Sequence, residues 1–233
     1  MKSKVLPFSI LLNIIFLVGL FVIVYRFGGV HTVWHKIKNR GLSAHYEHRK
    51  DLFMKLELQK GDIVFLGNSI TEQCEWAELF GNPIVKNRGI SGDGVEGVLS
   101  RLDRIIAAEP SKVCLMIGVN DLFFHEVDWV VPHYKAILKK FKDKLPQMPV
   151  GVQSVLPVNG SVKFVGVSNT SIVQLNEEIK KLALEFGYEY IDLHARFKDE
   201  AGQLKAALTE DGLHLNGQAY LLWKEILETD LAQ

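Results

Sequence analysis

The chain has 233 residues, long enough for one domain of ordinary size with a substantial hydrophobic core. Its 27 basic and 27 acidic residues balance, so no net charge favours nucleic acid or another polyanion as a partner. The two cysteines are isolated and form no C-x-x-C pair, which excludes a disulfide framework and argues against a cysteine zinc site.

The first element in the chain is an uncharged run of 20 residues, Val5–Val24. A helix of that length matches the ~30 Å hydrocarbon core of a bilayer. A cleaved signal peptide and a buried core helix are the alternatives. The run is longer than the usual signal h-region, has no A-x-A-like cleavage site, and is apolar all round. We therefore predict an uncleaved single-pass membrane anchor over residues 1–27.

Basic residues flank this run on both sides, so the positive-inside rule does not decide its orientation. A very short N-terminal tail commonly stays in the cytoplasm, and on that ground we predict an extracytoplasmic location for the rest of the chain. Residues 28–60 are interpreted as a juxtamembrane linker that passes into a helix near Tyr46–Leu58. Residues 61–233 are interpreted as one domain.

From Gly61 onward, short apolar runs alternate with longer amphipathic ones. The short runs have four to six residues and are mostly β-branched, which suits strands buried on both faces. The predicted strands are Asp62–Leu66, Ile84–Asn87, Val113–Ile117, Val150–Val155 and Tyr188–Ile191. The predicted helices between and after them are Glu75–Phe80, Val95–Ala108, Asp128–Leu145, Ser171–Phe186 and Gly217–Glu228. This alternation predicts an α/β fold with a parallel five-stranded sheet and helices on both faces.

Ligands bind at the carboxyl ends of such strands, so the residues that follow each strand are the candidates for chemistry. Ser69 follows the first strand in the segment FLGNSITE. Such a serine often only caps the next helix, and its hydroxyl is a weak nucleophile without a base.

Asp211 and His214, in TEDGLHLN before the last helix, would supply that base. The carboxylate would orient one ring nitrogen while the other faces the serine. Taken alone, a D-x-x-H pair is more often an ordinary surface pair. The other seven histidines have no comparable context and are assigned no role.

The loop after the second strand, NRGISGDGVEGV, contains a literal G-x-G-x-x-G and so permits a nucleotide-binding interpretation. No acidic ribose contact is apparent at the end of the next strand. The alternative is that Gly92 exposes a backbone N–H and that Asn120, after the third strand, adds a side-chain donor. Two such donors aimed at one point would stabilise an oxyanion.

These four segments resemble, in order, the four sequence blocks of SGNH (GDSL-type) hydrolases. FLGNSIT resembles the serine block, ISGDG the glycine block, GVND the asparagine block and DGLH the D-x-x-H block. The resemblance covers Gly61 to about Leu227, and RGISGDG…RLDRI is most similar to the branch of platelet-activating-factor acetylhydrolase and bacterial acetyl-esterases. In this chain, Asn68 stands where the family usually has Asp, which puts in doubt any hydrogen bond that the acid would make.

The resemblance implies a flavodoxin-like three-layer fold and a serine esterase without metal or cofactor. It implies Ser69 as nucleophile, His214 as base and Asp211 as its orienting acid. Gly92 and Asn120 would join the Ser69 backbone N–H in an oxyanion hole. We expect short acyl groups, acetyl above all, on a carbohydrate or another polar alcohol.

Two other functions stay open. A lysophospholipase or thioesterase acting on lipids would make use of the anchor. The other is a catalytically inactive membrane-tethered binding domain. Such a domain would be expected to have lost a catalytic residue, whereas each of the four blocks here keeps its catalytic residue.

Overall fold

The computed structural model describes residues 12–14, 16–19, 21–22 and 44–231. The chain divides into two compact units, Met1–Ser43 and Ala44–Gln233. All the strands and helices labelled below belong to the second unit.

The predicted membrane anchor lies largely outside the described residues. Residues 12–14, 16–19 and 21–22 of it are helical. Within the described residues no helix is long and apolar enough to cross a membrane. The structure therefore gives the predicted transmembrane helix no support, and the anchor stays a prediction.

One parallel sheet forms the centre of the second unit. Its strands are β1 (Ile63–Gly67), β2 (Val85–Gly89), β3 (Lys112–Met116), β4 (Val150–Gln153) and β5 (Glu189–Ile191). They are arranged in the order β2-β1-β3-β4-β5, and every neighbouring pair is parallel. This is the flavodoxin-like doubly wound order, so the predicted five-stranded parallel sheet is confirmed.

Eight helices within residues 44–231 surround the sheet. They are α1 (Ala44–Lys55), α2 (Ser69–Glu72), α3 (Trp76–Phe80), α4 (Val95–Ala107), α5 (Val127–Lys144), α6 (Asn169–Phe186), α7 (Leu193–Phe197) and α8 (Gly217–Leu231). Short 3₁₀ turns occur at Asp121–Phe123 and Ala206–Leu208. The long helices agree with their predicted positions, whereas the four-residue α2 and five-residue α7 were not predicted.

The helices pack in two groups. The first group is α4, α5 and α6, which contact one another in sequence, and the second is α3, α7 and α8, of which α8 touches both others. The buried residues of α4 recur at helical spacing, namely Val95, Val98, Leu102 and Ile105, and so form one apolar face.

The second group packs on the sheet through a cluster of aromatic rings. Phe65 of β1 stacks on Trp76 of α3 with ring centroids 4.0 Å apart, and Trp76 meets Trp223 of α8 edge-on at 5.0 Å. All three side chains are almost fully buried. Because β1 is an interior strand and is packed against this aromatic cluster, its carboxyl end is a rigid place for a reactive group.

Candidate active site

The carboxyl ends of β2, β1 and β3 lie side by side. Gly67, the last residue of β1, lies opposite Gly89 of β2 and Met116 of β3. The loops that follow these three strands therefore start at the same level of the sheet. They carry Ser69, Gly92 and Asn120, so the register accounts for their proximity.

Ser69 is the first residue of α2, directly after the strand-to-helix turn. Asn68 caps this helix, since its side-chain Oδ1 accepts a hydrogen bond from Ile70 N at 3.0 Å. Both side chains are largely buried. The side-chain oxygen of Asn serves as cap acceptor just as that of Asp would, so this substitution leaves the turn intact.

His214 lies between Ser69 and Asp211. Its Nε2 is 3.0 Å from Ser69 Oγ, and its Nδ1 is 2.7 Å from Asp211 Oδ2. The other carboxylate oxygen, Oδ1, accepts hydrogen bonds from the backbone N–H groups of Leu213 (2.9 Å) and His214 (2.8 Å). The three predicted residues are thus brought together in one hydrogen-bonded chain.

The Asp211 carboxylate is held in its ionised form. Burial works to raise its pKa, but hydrogen bonds from the His214 ring and from the backbone N–H groups of His214 and Leu213 outweigh burial. Together they lower the pKa of Asp211 to about 2. Across the neutral range this group therefore presents a negative charge to His214 Nδ1, which favours the tautomer whose Nε2 can accept a proton.

The turn that carries this pair is fixed against a neighbouring loop. Gly212 has a positive φ of 81°, and a Cβ placed on it would lie 2.3 Å from the carbonyl oxygen of Asn159. Asn159 N donates in return to Gly212 O at 2.7 Å. Only glycine fits this position, so the G of D-G-L-H serves the backbone rather than the chemistry.

Gly92 lies at the tip of the loop between β2 and α4, with a positive φ of 83°. The preceding residue, Ser91, donates its backbone N–H to Glu72 Oε2 of α2 at 2.5 Å. The backbone N–H groups of Gly92 and Ser69 donate to no other residue in the described part of the chain. Both donors are therefore free to bind a ligand oxygen.

Asn120 links the second and third loops. Its Nδ2 donates to the backbone carbonyl of Asp93 at 2.8 Å. An amide nitrogen carries two hydrogens, so a second N–H is left over. The next residue, Asp121, accepts from Val95 N with both oxygens, at 3.1 and 3.2 Å, and so caps α4. Burial is the largest cause that raises the pKa of Asp121, to about 6.

The G-x-G-x-x-G pattern has a packing explanation here. A Cβ on Gly94 would lie 2.4 Å from Asp121 Oδ1, and one on Gly97 would lie 1.8 Å from Asp93 Oδ1. These two glycines make room for buried carboxylates of the same protein. Nothing in their geometry requires a nucleotide.

Comparison with known proteins gives the same answer as the four blocks. The family model described as "GDSL-like Lipase/Acylhydrolase family" matches residues 65–222. The chain belongs to this family. As a member of this lipase and acylhydrolase family, it is a carboxylic ester hydrolase.

Among curated relatives, the platelet-activating factor acetylhydrolase IB subunit alpha1 of Pongo abelii is 35% identical over 166 residues, 68% of this chain and 70% of its own length. The same subunit of Homo sapiens is 30% identical over a segment of the same length and coverage. The predicted resemblance to the platelet-activating-factor acetylhydrolase branch is therefore confirmed.

Solved structures share the fold. A protein from Streptococcus pneumonia, described as a platelet activating factor, is 27% identical with a TM-score of 0.76, covering 85% of this chain and 98% of its own. An acetylxylan esterase from Geobacillus stearothermophilus is 20% identical with a TM-score of 0.61, covering 76% and 97%. At that level of identity the second likeness is one of fold alone.

The GDSL-like chain also has site residues that the sequence did not single out. Glu72 holds Ser91, and its Oε1 lies 2.7 Å from His45 Nε2 and 2.9 Å from Arg49 Nε of α1. Glu72 follows Ser69 by three positions in the SITE segment, and that helical spacing was the available signal.

Asp93 is a second such residue. It is fully buried, accepts from Arg101 Nε at 2.9 Å and receives the Tyr46 hydroxyl at 3.3 Å. Burial works to raise its pKa and the Arg101 guanidinium works against that rise. The ion pair of Asp93 with Arg101 supports the residue whose backbone carbonyl accepts the hydrogen bond from Asn120.

Proposed function

We propose that this esterase cleaves short-chain esters, acetyl esters above all, of a carbohydrate or another polar alcohol. Ser69 is proposed as nucleophile, His214 as general base and acid, and Asp211 as the group that orients His214. The observation that carries the proposal is the hydrogen-bonded chain from Ser69 Oγ through His214 to Asp211, with its separations of 3.0 and 2.7 Å.

In the first half of the reaction, Ser69 Oγ attacks the ester carbonyl while His214 Nε2 takes the hydroxyl proton. The carbonyl oxygen becomes an oxyanion. It would accept hydrogen bonds from the backbone N–H groups of Ser69 and Gly92 and from the second N–H of Asn120. Each well-placed donor of this kind contributes about 3–4 kcal/mol to transition-state stabilisation.

Collapse of the tetrahedral intermediate breaks the bond to the alcohol, which leaves with the proton from His214. The acyl group is then an ester of Ser69. A water molecule repeats the sequence: its oxygen attacks the acyl carbonyl carbon while His214 Nε2 takes one of its protons. The acyl–serine bond then breaks, the carboxylic acid is released, and His214 returns the proton to Ser69 Oγ. The three side chains end the cycle in their starting protonation states.

The curated relatives support a short acyl group, because those at 30–35% identity are named acetylhydrolases. A long acyl chain would need an apolar channel that begins at the nucleophile.

Exposed aromatic rings favour a sizeable polar alcohol. Phe124 follows Asn120 by four residues and is 69% exposed, and Phe164 is 87% exposed. The neighbouring Lys163 carbonyl lies 3.2 Å from where a Cβ of Gly212 would be, beside the Asp211–His214 turn. We propose that these rings flank the alcohol part of the substrate.

A lipid substrate is the second candidate, favoured by the relatives' name and by the apolar run Val5–Val24. We propose that this run, within residues 1–27, anchors the enzyme to a membrane with residues 61–233 on the extracytoplasmic side. An anchor holds an enzyme near acetylated glycans of an envelope as well as near lipid, so it does not decide the substrate.

The acyl preference is tested with p-nitrophenyl esters from acetate to octanoate, using the full-length chain in a nonionic detergent. Each methylene that enters an apolar channel would contribute about 0.8 kcal/mol. We expect kcat/KM to fall along the series. A steady rise through eight carbons would overturn the short-acyl proposal. Comparison of acetylated xylo-oligosaccharides with an acetylated lysophospholipid then separates the two alcohols.

A further inference from the structure

A cavity lies on the side of the domain formed by α1 and α4. The cavity has a volume of about 440 Å³, within the range of small-molecule sites. None of Ser69, Asp211, His214, Gly92 and Asn120 lines it. It is therefore separate from the candidate active site.

Positive charge is concentrated in this cavity although the whole chain is neutral. Four cationic side chains line it against a single carboxylate, that of Glu57. The cations are Lys50, Arg88, Arg101 and Arg104. Arg101 is already neutralised by Asp93 at 2.7 Å, which leaves the other three as groups able to attract an anion.

Arg88 is the central group. It is only 7% exposed, and in the described part of the chain no carboxylate lies within 4.0 Å of its guanidinium. Its two hydrogen bonds go to backbone carbonyls, those of Asn87 at 2.7 Å and Leu56 at 3.3 Å. A guanidinium has five N–H donors, so three stay without an acceptor among the described residues.

Burial makes this arrangement costly. Removal from water is the largest cause that lowers the pKa of Arg88, to about 10, so the side chain is still a cation at neutral pH. The negative charge of Asp62 works against that shift, whereas the charges of Arg101 and Arg49 add to it. An anion that reached the guanidinium would offset more of the cost of burying this cation. The ring of Phe53 supports the group from below, 4.7 Å from the Arg88 Cζ.

The rest of the lining is apolar. Met54 and Leu56 are 45% and 48% exposed, although both are large hydrophobic side chains. Ile105 and Ala108 line the cavity from α4. An apolar wall next to a cationic wall suits a ligand that has an anionic head and an apolar chain.

The chain's own N-terminal segment does not have the charge to fill this site. The first carboxylate in the sequence is Glu47, so residues 1–43 offer cations and no acidic side chain. An acidic side chain that complements Arg88, Lys50 and Arg104 would therefore not come from residues 1–43.

We propose that this cavity binds an anionic amphiphile, a molecule with a phosphate or carboxylate head and a short apolar chain. The head would contact Arg88, Lys50 and Arg104. The apolar chain of the ligand would lie against Phe53, Leu56 and Ile105. The proposal does not rest on the roles of Ser69 and His214.

Calorimetric titration of the full-length chain in a nonionic detergent tests the proposal with four probes: inorganic phosphate, ethyl phosphate, hexyl phosphate and hexanol. None of them is a carboxylic ester, so none is turned over. We expect hexyl phosphate to bind tightest, with about a fourfold gain for each methylene that is buried. Equal affinity for inorganic phosphate and hexyl phosphate, or for hexanol and hexyl phosphate, would overturn the proposal that the ligand is an anionic amphiphile.

Substitutions at two exposed lining residues distinguish contacts with the anionic head of the ligand from contacts with its apolar chain. Arg104→Glu should weaken hexyl phosphate and ethyl phosphate alike, by about tenfold, because it reverses a charge beside the head. Leu56→Ser should reduce the gain from ethyl to hexyl phosphate and leave ethyl phosphate unchanged. The matched control is Lys144→Glu, an identical charge change on an exposed residue outside the lining, which should have no effect.

Hydrolysis of p-nitrophenyl acetate provides the remaining check. We expect Arg104→Glu and Leu56→Ser to retain wild-type kcat, and hexyl phosphate not to compete with the ester. Competitive inhibition, or unchanged hexyl phosphate affinity in Arg104→Glu, would place the ligand elsewhere and overturn the proposal. If the esterase proposal failed instead, the wild-type protein would not hydrolyse p-nitrophenyl acetate but would still bind hexyl phosphate.

Discussion

Asn120 donates one hydrogen of its side-chain amide to the backbone carbonyl of Asp93 at 2.8 Å. This bond joins the loop after β3 to the loop after β2. It fixes the plane of the amide, so that the second N–H has a set direction. The two loops that carry the proposed oxyanion donors are therefore held as one unit.

Asn120→Ala removes a donor from the proposed oxyanion hole and the link to Asp93. We expect kcat for p-nitrophenyl acetate to fall by about 10²–10³-fold, in line with loss of one such donor. KM should change little, because the bond strengthens only as the oxyanion forms. The control is Asn82→Ala, a surface asparagine whose side chain caps Ile84 N. A change confined to KM would contradict the oxyanion role.

Glu72 is expected to act as a positioning residue through Ser91. Glu72→Ala removes the acceptor of the Ser91 N–H and releases the Gly92 loop, which should lower kcat by about tenfold or more while KM changes little. Glu72→Gln keeps a side-chain acceptor and should restore part of the loss. If both variants lost activity equally, with the same loss of thermal stability, Glu72 would have a merely structural role.

The sequence predicted the polar groups of the site better than their supports. Ser69, Asp211 and His214 were predicted because the serine turn and the D-x-x-H pair have short local signatures. The contact of Glu72 with Ser91 spans 19 residues and depends on the β1–β2 register, which no local pattern encodes.

The short helices and the cavity beside Arg88 could not be predicted from the sequence either. The five residues of α7, Leu193–Phe197, are too few to show a helical period. The helix predicted near Tyr46–Leu58 is present as α1, Ala44–Lys55, with its two ends shifted by two and three residues; Tyr46 is its one buried residue. The cavity beside Arg88 arises from how α1 lies against α4, and pairwise packing of that kind is not readable from one chain.

Asp211 should make stability depend on pH in one direction only. Its folded pKa of about 2 is below the ordinary value of 3.8, so ionised Asp211 stabilises the folded chain above about pH 4. That contribution is lost as the pH falls through the folded pKa. The difference in free energy of unfolding between wild type and Asp211→Asn should be constant from about pH 8 to 5 and shrink below about pH 4, as measured by urea unfolding. A difference that grew on acidification would contradict this assignment.

The anchor proposed over Val5–Val24 predicts behaviour in membrane fractions. The full-length chain should sediment with membranes and resist extraction by alkaline carbonate, since an apolar span is held by the bilayer rather than by charge. A chain that begins near Arg40 should remain in the supernatant and keep its esterase activity. If the N-terminus of the native protein were found beyond Val24, a cleaved signal peptide would replace the anchor.

The proposed role of Ser69 is tested most directly by the rate of p-nitrophenyl acetate hydrolysis by Ser69→Ala. Ser100→Ala serves as control, because that serine is exposed and its hydroxyl donates to Gly97 O in its own helix. We expect Ser69→Ala to lose about 10⁴-fold or more in kcat, and Ser69→Ala combined with His214→Ala to be scarcely slower, because triad members act as a unit. Ser100→Ala should match wild type. Hydrolysis by Ser69→Ala within a few-fold of wild type would contradict the account.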